Sequence, residues 1–295
     1  MYEEIMSSVR LIQIEILDEL DRIAKKHQIK YQLFAGTLLG AVRHKGFIPW
    51  DDDIDIVMPR EDYERFIYAC EKDLGSNFFL QTPYIKGSPY AFTKLRRNNT
   101  LFIEKDVESI DIHHGIFIDV FPMVNVFLER KYSRSIQRKL NFLMMVRAVK
   151  ILKNKRKGIK GLYLFFMNCL FRRPLQFYNL KIEAVAQRFK HKDTDYVAHL
   201  NCVRLGKDYG GWYYRKDDFD NIQLFEFEGK LYPGPKRFHD LLTLEYGDYM
   251  TPPPIEKQVP HHSINKIMID NEYFKIYKKN NEMITERIFK NNEKH

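Results

Sequence analysis

Apolar residues recur at intervals of three and four near the start of the chain. Val9, Ile12, Ile16, Leu20 and Ile23 mark one face of a helix that ends near His27. Residues 29–33 then read as a short strand, 36–40 turn into a helical piece, and 46–49 form a loop. At Asp51 the period drops to two. A strand through Asp51-Asp52-Asp53-Ile54-Asp55-Ile56-Val57-Met58 would point Asp51, Asp53 and Asp55 to one face, with Ile54, Ile56 and Met58 entering the core. Pro59 stops that strand, and Glu61 and Asp62 follow where a helix N-terminus favours negative charge. Tyr63, Phe66, Ile67, Cys70 and Leu74 form the buried stripe of this helix. Residues 91–95 and 115–121 are further strand candidates. In the second, Ile116, Ile118 and Val120 share one face and leave Asp119 on the other.

The carboxylates change the picture from fold to chemistry. Three anions on one strand edge repel one another unless a cation sits between them, and oxygen-only ligands suit Mg²⁺ or Mn²⁺. A solvated acidic turn is the alternative, but the run feeds directly into Ile-Val-Met, a buried-strand composition. Asp119 inside an apolar strand is costly unless it is metal-bound or paired to a buried cation such as an arginine. Carboxylates on neighbouring strands can hold metal ions that bridge phosphate oxygens in phosphoryl transfer. The Gly36-Thr37 turn can bring backbone N–H groups and a hydroxyl close to a phosphate.

Charge adds a second theme. Residues 129–192 hold 18 lysines and arginines against two acidic residues, in a chain whose net charge is only +9. The remainder is therefore mildly acidic. Within this basic segment Ile136, Leu140, Leu143, Met144 and Ile151 predict helix, and an aromatic-rich stretch follows at 161–171. That stretch is too short to span a bilayer, which needs about 20 residues as helix. A basic amphipathic helix suits peripheral contact with an anionic membrane surface; a solvated helical cap with its aromatics packed on the body is the alternative. A local basic insert does not suggest nucleic acid. Cys70, Cys169 and Cys202 are odd in number and widely spaced, which favours a reducing cytoplasm over a disulfide framework. The acidic, amphipathic N-terminus is not expected to be a signal peptide. The expected location is cytoplasmic, or peripheral at the inner face of the membrane.

Residues 36–43 (GTLLGAVR), 47–55 (FIPWDDDID) and 118–122 (IDVFP) resemble the LicD family of bacterial phosphocholine transferases, related to the fukutin-type sugar-phosphate transferases. The resemblance is near-continuous over 28–125 and resumes more loosely over 225–249 and 252–262. It implies an α+β nucleotidyltransferase core of the DNA polymerase β type with a mixed sheet, interrupted by the helical basic insert. The expected division is 1–128 for the core, 129–200 for the insert and 201–295 for a part that completes the catalytic domain. By resemblance Asp53 and Asp55 are the metal pair, Asp51 an additional ligand, and Asp119 the third carboxylate with general-base duty. The implied activity moves a phospho-alcohol, most often phosphocholine, from a CDP-activated donor to a glycan hydroxyl and releases CMP. The acceptor would be a cell-surface glycan such as teichoic acid, lipopolysaccharide or capsule, free or lipid-linked. A nucleotidyltransferase that uses an NTP, and CDP-glycerol or CDP-ribitol as donor, are the alternatives.

Arg43 and Lys94 are candidates for diphosphate charge, alongside the Gly36-Thr37 turn. Trp212, Tyr213 and Tyr214 can line a cytosine or choline pocket or pack in the core. The Pro-rich segment 251–260 is expected to run as an extended strap that delivers His261 or His262 to the site, His261 being the candidate ligand. His113 and His114 beside Asp111 lack further ligands at metal spacing.

Overall fold

The computed structural model describes residues 1–152, 158–199, 213–279 and 282–288, the side chains of 130–133 apart. Cys202 and Trp212 lie outside the described residues.

The elements run α1 (Tyr2–His27), β1 (Gln32–Leu33), α2 (Ala35–His44), β2 (Asp55–Pro59), α3 (Arg60–Asp73), β3 (Phe78–Gln81), β4 (Thr93–Arg97), β5 (Leu101–Glu104) and β6 (Phe117–Val126). Then come α4 (Arg130–Leu152), α5 (Gly158–Leu170), α6 (Leu175–Ala186), β7 (Tyr196–His199), β8 (Tyr214–Arg215), β9 (Ile222–Phe227), β10 (Lys230–Pro235), α7 (Phe238–Tyr246), β11 (Ile264–Ile269), β12 (Glu272–Lys279) and β13 (Glu282–Ile288). This is a mixed α/β arrangement.

Its centre is β6. On one edge β6 pairs in parallel with β2; on the other it pairs antiparallel first with β4 and then, further along, with β7. β1 and β3 extend the two flanks. A strand covered on both sides should read as a continuous apolar run, and Ile56, Val57 and Met58 are fully buried. The stripe of α1 closes one face: Val9, Ile16, Leu20 and Ile23 are all fully buried and join β2 and β6 residues in one core.

The strand expected over 51–58 is shorter than its alternation suggests. Regular pairing begins only at Asp55, and 51–54 approach it as a loop. Side chains on α1 hold that loop. Arg10 donates to the carbonyls of Pro49 (2.7 Å) and Asp51 (2.9 Å), and the buried Gln13 donates to that of Asp52 (2.9 Å). These hydrogen bonds take up backbone groups that a strand neighbour would otherwise satisfy.

The segment 129–200 is helical over α4, α5 and α6, but its end returns to the main sheet, since Met123–Val126 of β6 pair with β7. α4 and α6 pack on that extension, with Ile136, Leu140, Val146 and Ile182 meeting Val124, Val126 and Ala198. The C-terminal part is woven into the same body. Phe225, Phe227 and Tyr232 enter the main core, and β11 pairs with β5.

Candidate active site

β2, β6 and β4 place one residue each in a row across three adjacent strands. Asp55 is in register with Asp119, and Asp119 with Lys94. Directly opposed side chains on one face of a sheet lie within contact distance. Asp53, at the end of the preceding loop, completes the group: Asp53, Asp55 and Asp119 each bring a carboxylate oxygen within 4.8 Å of the others. Burial raises the pKa of Asp53 and Asp55 above the usual carboxylate range, and mutual repulsion among Asp51, Asp53, Asp55 and Asp119 raises it further. His262 opposes the rise at Asp53, and Lys94 at Asp55. Burial likewise lifts Asp119, against Lys94. Three crowded carboxylates, Asp53 and Asp119 buried and Asp55 half-buried, form an all-oxygen donor set that fits a hard divalent cation.

Asp51 lies beside this group. A Cβ at Gly36 would stand 2.8 Å from Asp51 Oδ2, so Gly36 makes room for the carboxylate. The Thr37 hydroxyl accepts a hydrogen bond from the Asp55 N–H at 2.8 Å and is 3% exposed. In this arrangement the hydroxyl fastens the start of β2 rather than facing an open phosphate site.

Lys94 is the buried cation that the alternative reading of Asp119 called for, although as lysine and not arginine. It is 1% exposed, with Nζ 2.8 Å from Asp119 Oδ1 and 3.1 Å from Oδ2. The ammonium also sits over the Phe117 ring, 3.3 Å from its centroid. Such a lysine orients Asp119 and balances its charge; it does not reach into open solvent. Breaking a buried pair by removing one partner costs about 3–5 kcal/mol. Lys94→Ala is therefore expected to lower the urea midpoint of the metal-free protein by that equivalent. Asp119→Asn in the same chain should recover most of the loss, and a full-sized deficit in the double variant would count against the pairing.

A second constellation adjoins the first. His262 donates its backbone N–H to Asp52 Oδ2 (3.1 Å), and its Nδ1 lies 3.0 Å from Asp52 Oδ1. The same nitrogen is 3.8 Å from Asp53 Oδ2, and Nε2 is 3.7 Å from Glu104 Oε1. Burial lowers the His262 pKa, but Asp52 and Asp53 outweigh it and raise it to about 9. Glu104 also accepts from the Tyr90 hydroxyl at 2.7 Å. Burial raises the Glu104 carboxyl, yet Lys94, His262 and that hydroxyl hold it below its ordinary value.

The strap thus delivers His262, while its neighbour His261 is exposed. Asp52 and Glu104 carry no spacing signal. Asp52 alternates with Asp51 and Asp53 and falls on the side of Ile54 and Ile56, where it is 1% exposed. Arg43 donates to the Tyr249 carbonyl at 2.9 Å and lies near Trp50, so it braces the rim. Tyr214 is buried in the core against Phe34 and Phe219, and the half-buried Tyr213 packs on Tyr196. His113 stacks on Phe79, away from this site.

A cavity of about 770 Å³ opens beside Asp51, Asp52 and His262. Tyr2 and Trp50 line it together with Glu3, and Lys105 and Lys278 stand at its exposed margin.

Residues 28–143 match the family described as LicD/FKTN/FKRP, nucleotidyltransferase domain. The chain is 29% identical over 262 residues to the lipopolysaccharide cholinephosphotransferase LicD of Haemophilus influenzae, covering 86% of this chain and 94% of that protein. An uncharacterized protein of Rickettsia typhi is 46% identical over 63 residues, 21% of this chain and 20% of its own length. A second, from Rickettsia prowazekii, is 48% identical over 48 residues, 16% of this chain and 18% of its own. Asp53, Asp55, Lys94 and Asp119 all fall inside the matched residues 28–143, so the part of the chain that carries the carboxylates is similar to the LicD/FKTN/FKRP nucleotidyltransferase domain.

Proposed function

We propose that this chain is a metal-dependent transferase with a nucleotidyltransferase-type core. It moves phosphocholine from CDP-choline to a hydroxyl of a cell-surface glycan and releases CMP. The observation that carries the reading is the cluster of Asp53, Asp55 and Asp119, whose neighbours Asp51 and Asp52 line a ligand-sized cavity. The Haemophilus relative, named a lipopolysaccharide cholinephosphotransferase, supports the cargo and the class of acceptor.

Asp53, Asp55 and Asp119 would hold Mg²⁺ or Mn²⁺, with Asp51 as an additional ligand. Bound there, the ion neutralises diphosphate charge and favours ionisation of an attacking hydroxyl. The residues of the chain supply the rest. Lys94 keeps Asp119 oriented, and the Asp52–His262 pair fixes the loop that carries Asp53. Lys105 and Lys278 are placed for donor phosphates. A quaternary ammonium is attracted to aromatic faces, and Tyr2 and Trp50 beside Glu3 and Asp51 offer such a wall. In the transfer the glycan oxygen forms a bond to the phosphorus bearing choline, and the bond from that phosphorus to the CMP oxygen breaks. The hydroxyl proton passes to Asp119.

Parallel incubation with CDP-choline, CDP-glycerol, CDP-ribitol and CTP, using lipopolysaccharide as acceptor, tests the proposal. CMP should appear with CDP-choline and rise with acceptor. Pyrophosphate from CTP would replace the reading with nucleotidyl transfer; CMP from CDP-glycerol or CDP-ribitol alone would replace the cargo.

A further inference from the structure

Tyr178, Phe171 and Phe189 of the basic segment pack on the body, but the aromatics of α5 do not. On α5 only Leu164 is buried, whereas Ile159 is 88% exposed, Phe165 60%, Phe166 63% and Leu170 71%. α5 rests on α4 and presents these side chains to solvent. Phe142 and Met145 of α4 are exposed as well. Contiguous apolar surface of this kind marks an interaction site.

The surrounding charge says what covers it. From 130 to 182 the sequence holds no aspartate or glutamate. Arg138 and Lys139 on α4, Lys160 on α5, and Arg172 and Arg173 just beyond it are all exposed. At the foot of α5 an open recess of about 580 Å³ is lined by Lys150, Asn168, Arg172 and Arg173, with Asp111 at its edge. Large apolar side chains rimmed by cations match the depth profile of a leaflet, with acyl chains beneath anionic headgroups. A second copy of the chain would bring two strongly cationic faces together, which charge repulsion disfavours. Among the described residues no helix is long and apolar enough to cross a membrane, so the contact is peripheral.

We infer that α5 and its basic flanks form a docking surface for an anionic phospholipid bilayer. Phe165, Phe166 and Leu170 enter the acyl boundary, and Arg172 and Arg173 bind headgroup phosphates. The contact is independent of which group the active site transfers.

Flotation of the full chain with phosphatidylcholine vesicles, with and without phosphatidylglycerol, tests it without any activity readout. Binding should require phosphatidylglycerol and weaken at high salt. Arg172→Gln with Arg173→Gln should lower partitioning roughly thirty-fold, and Phe165→Ser with Phe166→Ser at least about tenfold. Unchanged melting temperatures in both variants would show that the fold is intact. No flotation, or equal flotation with neutral vesicles, would overturn the inference. So would a lipid-free dimer in light scattering that the Phe165/Phe166 variant abolishes, because it would assign the face to a second copy.

Discussion

Asp53→Asn is expected to abolish transfer while leaving the metal-free protein at least as stable as the parent. Asp53 is the residue shared by both carboxylate constellations and is 6% exposed. On the proposed assignment, replacing it removes one of the carboxylates that would hold the cation facing the donor phosphates. Loss of such electrostatic stabilisation costs about 10²–10³-fold for a single hydrogen-bond donor, and a ligand at the metal is expected to cost more. The stability effect has the opposite sign, because burial and the neighbouring aspartates disfavour the Asp53 anion. Neutralising it relieves that repulsion and leaves the volume unchanged. Rate measurements and urea melts read the two effects separately. An active Asp53→Asn chain would remove the metal assignment. An inactive one with a collapsed melt would instead place Asp53 among the groups that hold the fold together.

Metal removal should show the same physics from the other side. EDTA is expected to eliminate transfer, and Mg²⁺ or Mn²⁺ to restore it. A ligand at 1,000 times its Kd adds about 4.1 kcal/mol, so Mg²⁺ should raise the melting temperature by several degrees. The pH dependence has a definite sign. Burial raises Asp51 to about 6 and Asp53 to about 8, so the folded metal-free chain binds protons more tightly than the unfolded one. Their contribution is present below the ordinary carboxylate value near 4 and is lost as pH rises through about 6 and 8. His262, raised to about 9, adds a loss of the same sign at its upper end. Metal-free protein should therefore melt higher at pH 5.5 than at pH 8. Bound Mg²⁺ replaces the protons, so its stabilisation should grow with pH. A Mg²⁺ shift that is largest at low pH would contradict this electrostatic account.

Several parts of the site were legible locally. α1 and α3 follow from apolar spacing, since an amphipathic stripe is written within one helix. Asp55 and Asp119 stand out because a charge within an apolar strand breaks a short-range pattern. The same rule misled at Asp51 and Asp53, where alternation suggested a strand. Arg10 and Gln13 of α1 hold a loop there, and their role depends on a helix some forty residues away. His262 meets Asp52 across 210 residues. A doublet of histidines in a strap has no local feature that tells which ring turns inward. Lys94 resembled a phosphate-binding cation because sequence shows charge but not burial; antiparallel register with β6 puts it on Asp119.

By itself the sequence determined the anionic ladder, the concentration of positive charge in 129–192 and, over the carboxylate-bearing part, the resemblance to the LicD family. These are properties of composition and short-range spacing. Only the tertiary structure decided that Asp53, Asp55 and Asp119 converge, that Lys94 and the Asp52–His262 pair support them, and that the face of α5 remains uncovered. Convergence rests on strand register and burial on which surfaces meet, and both are set by contacts between segments far apart in the chain.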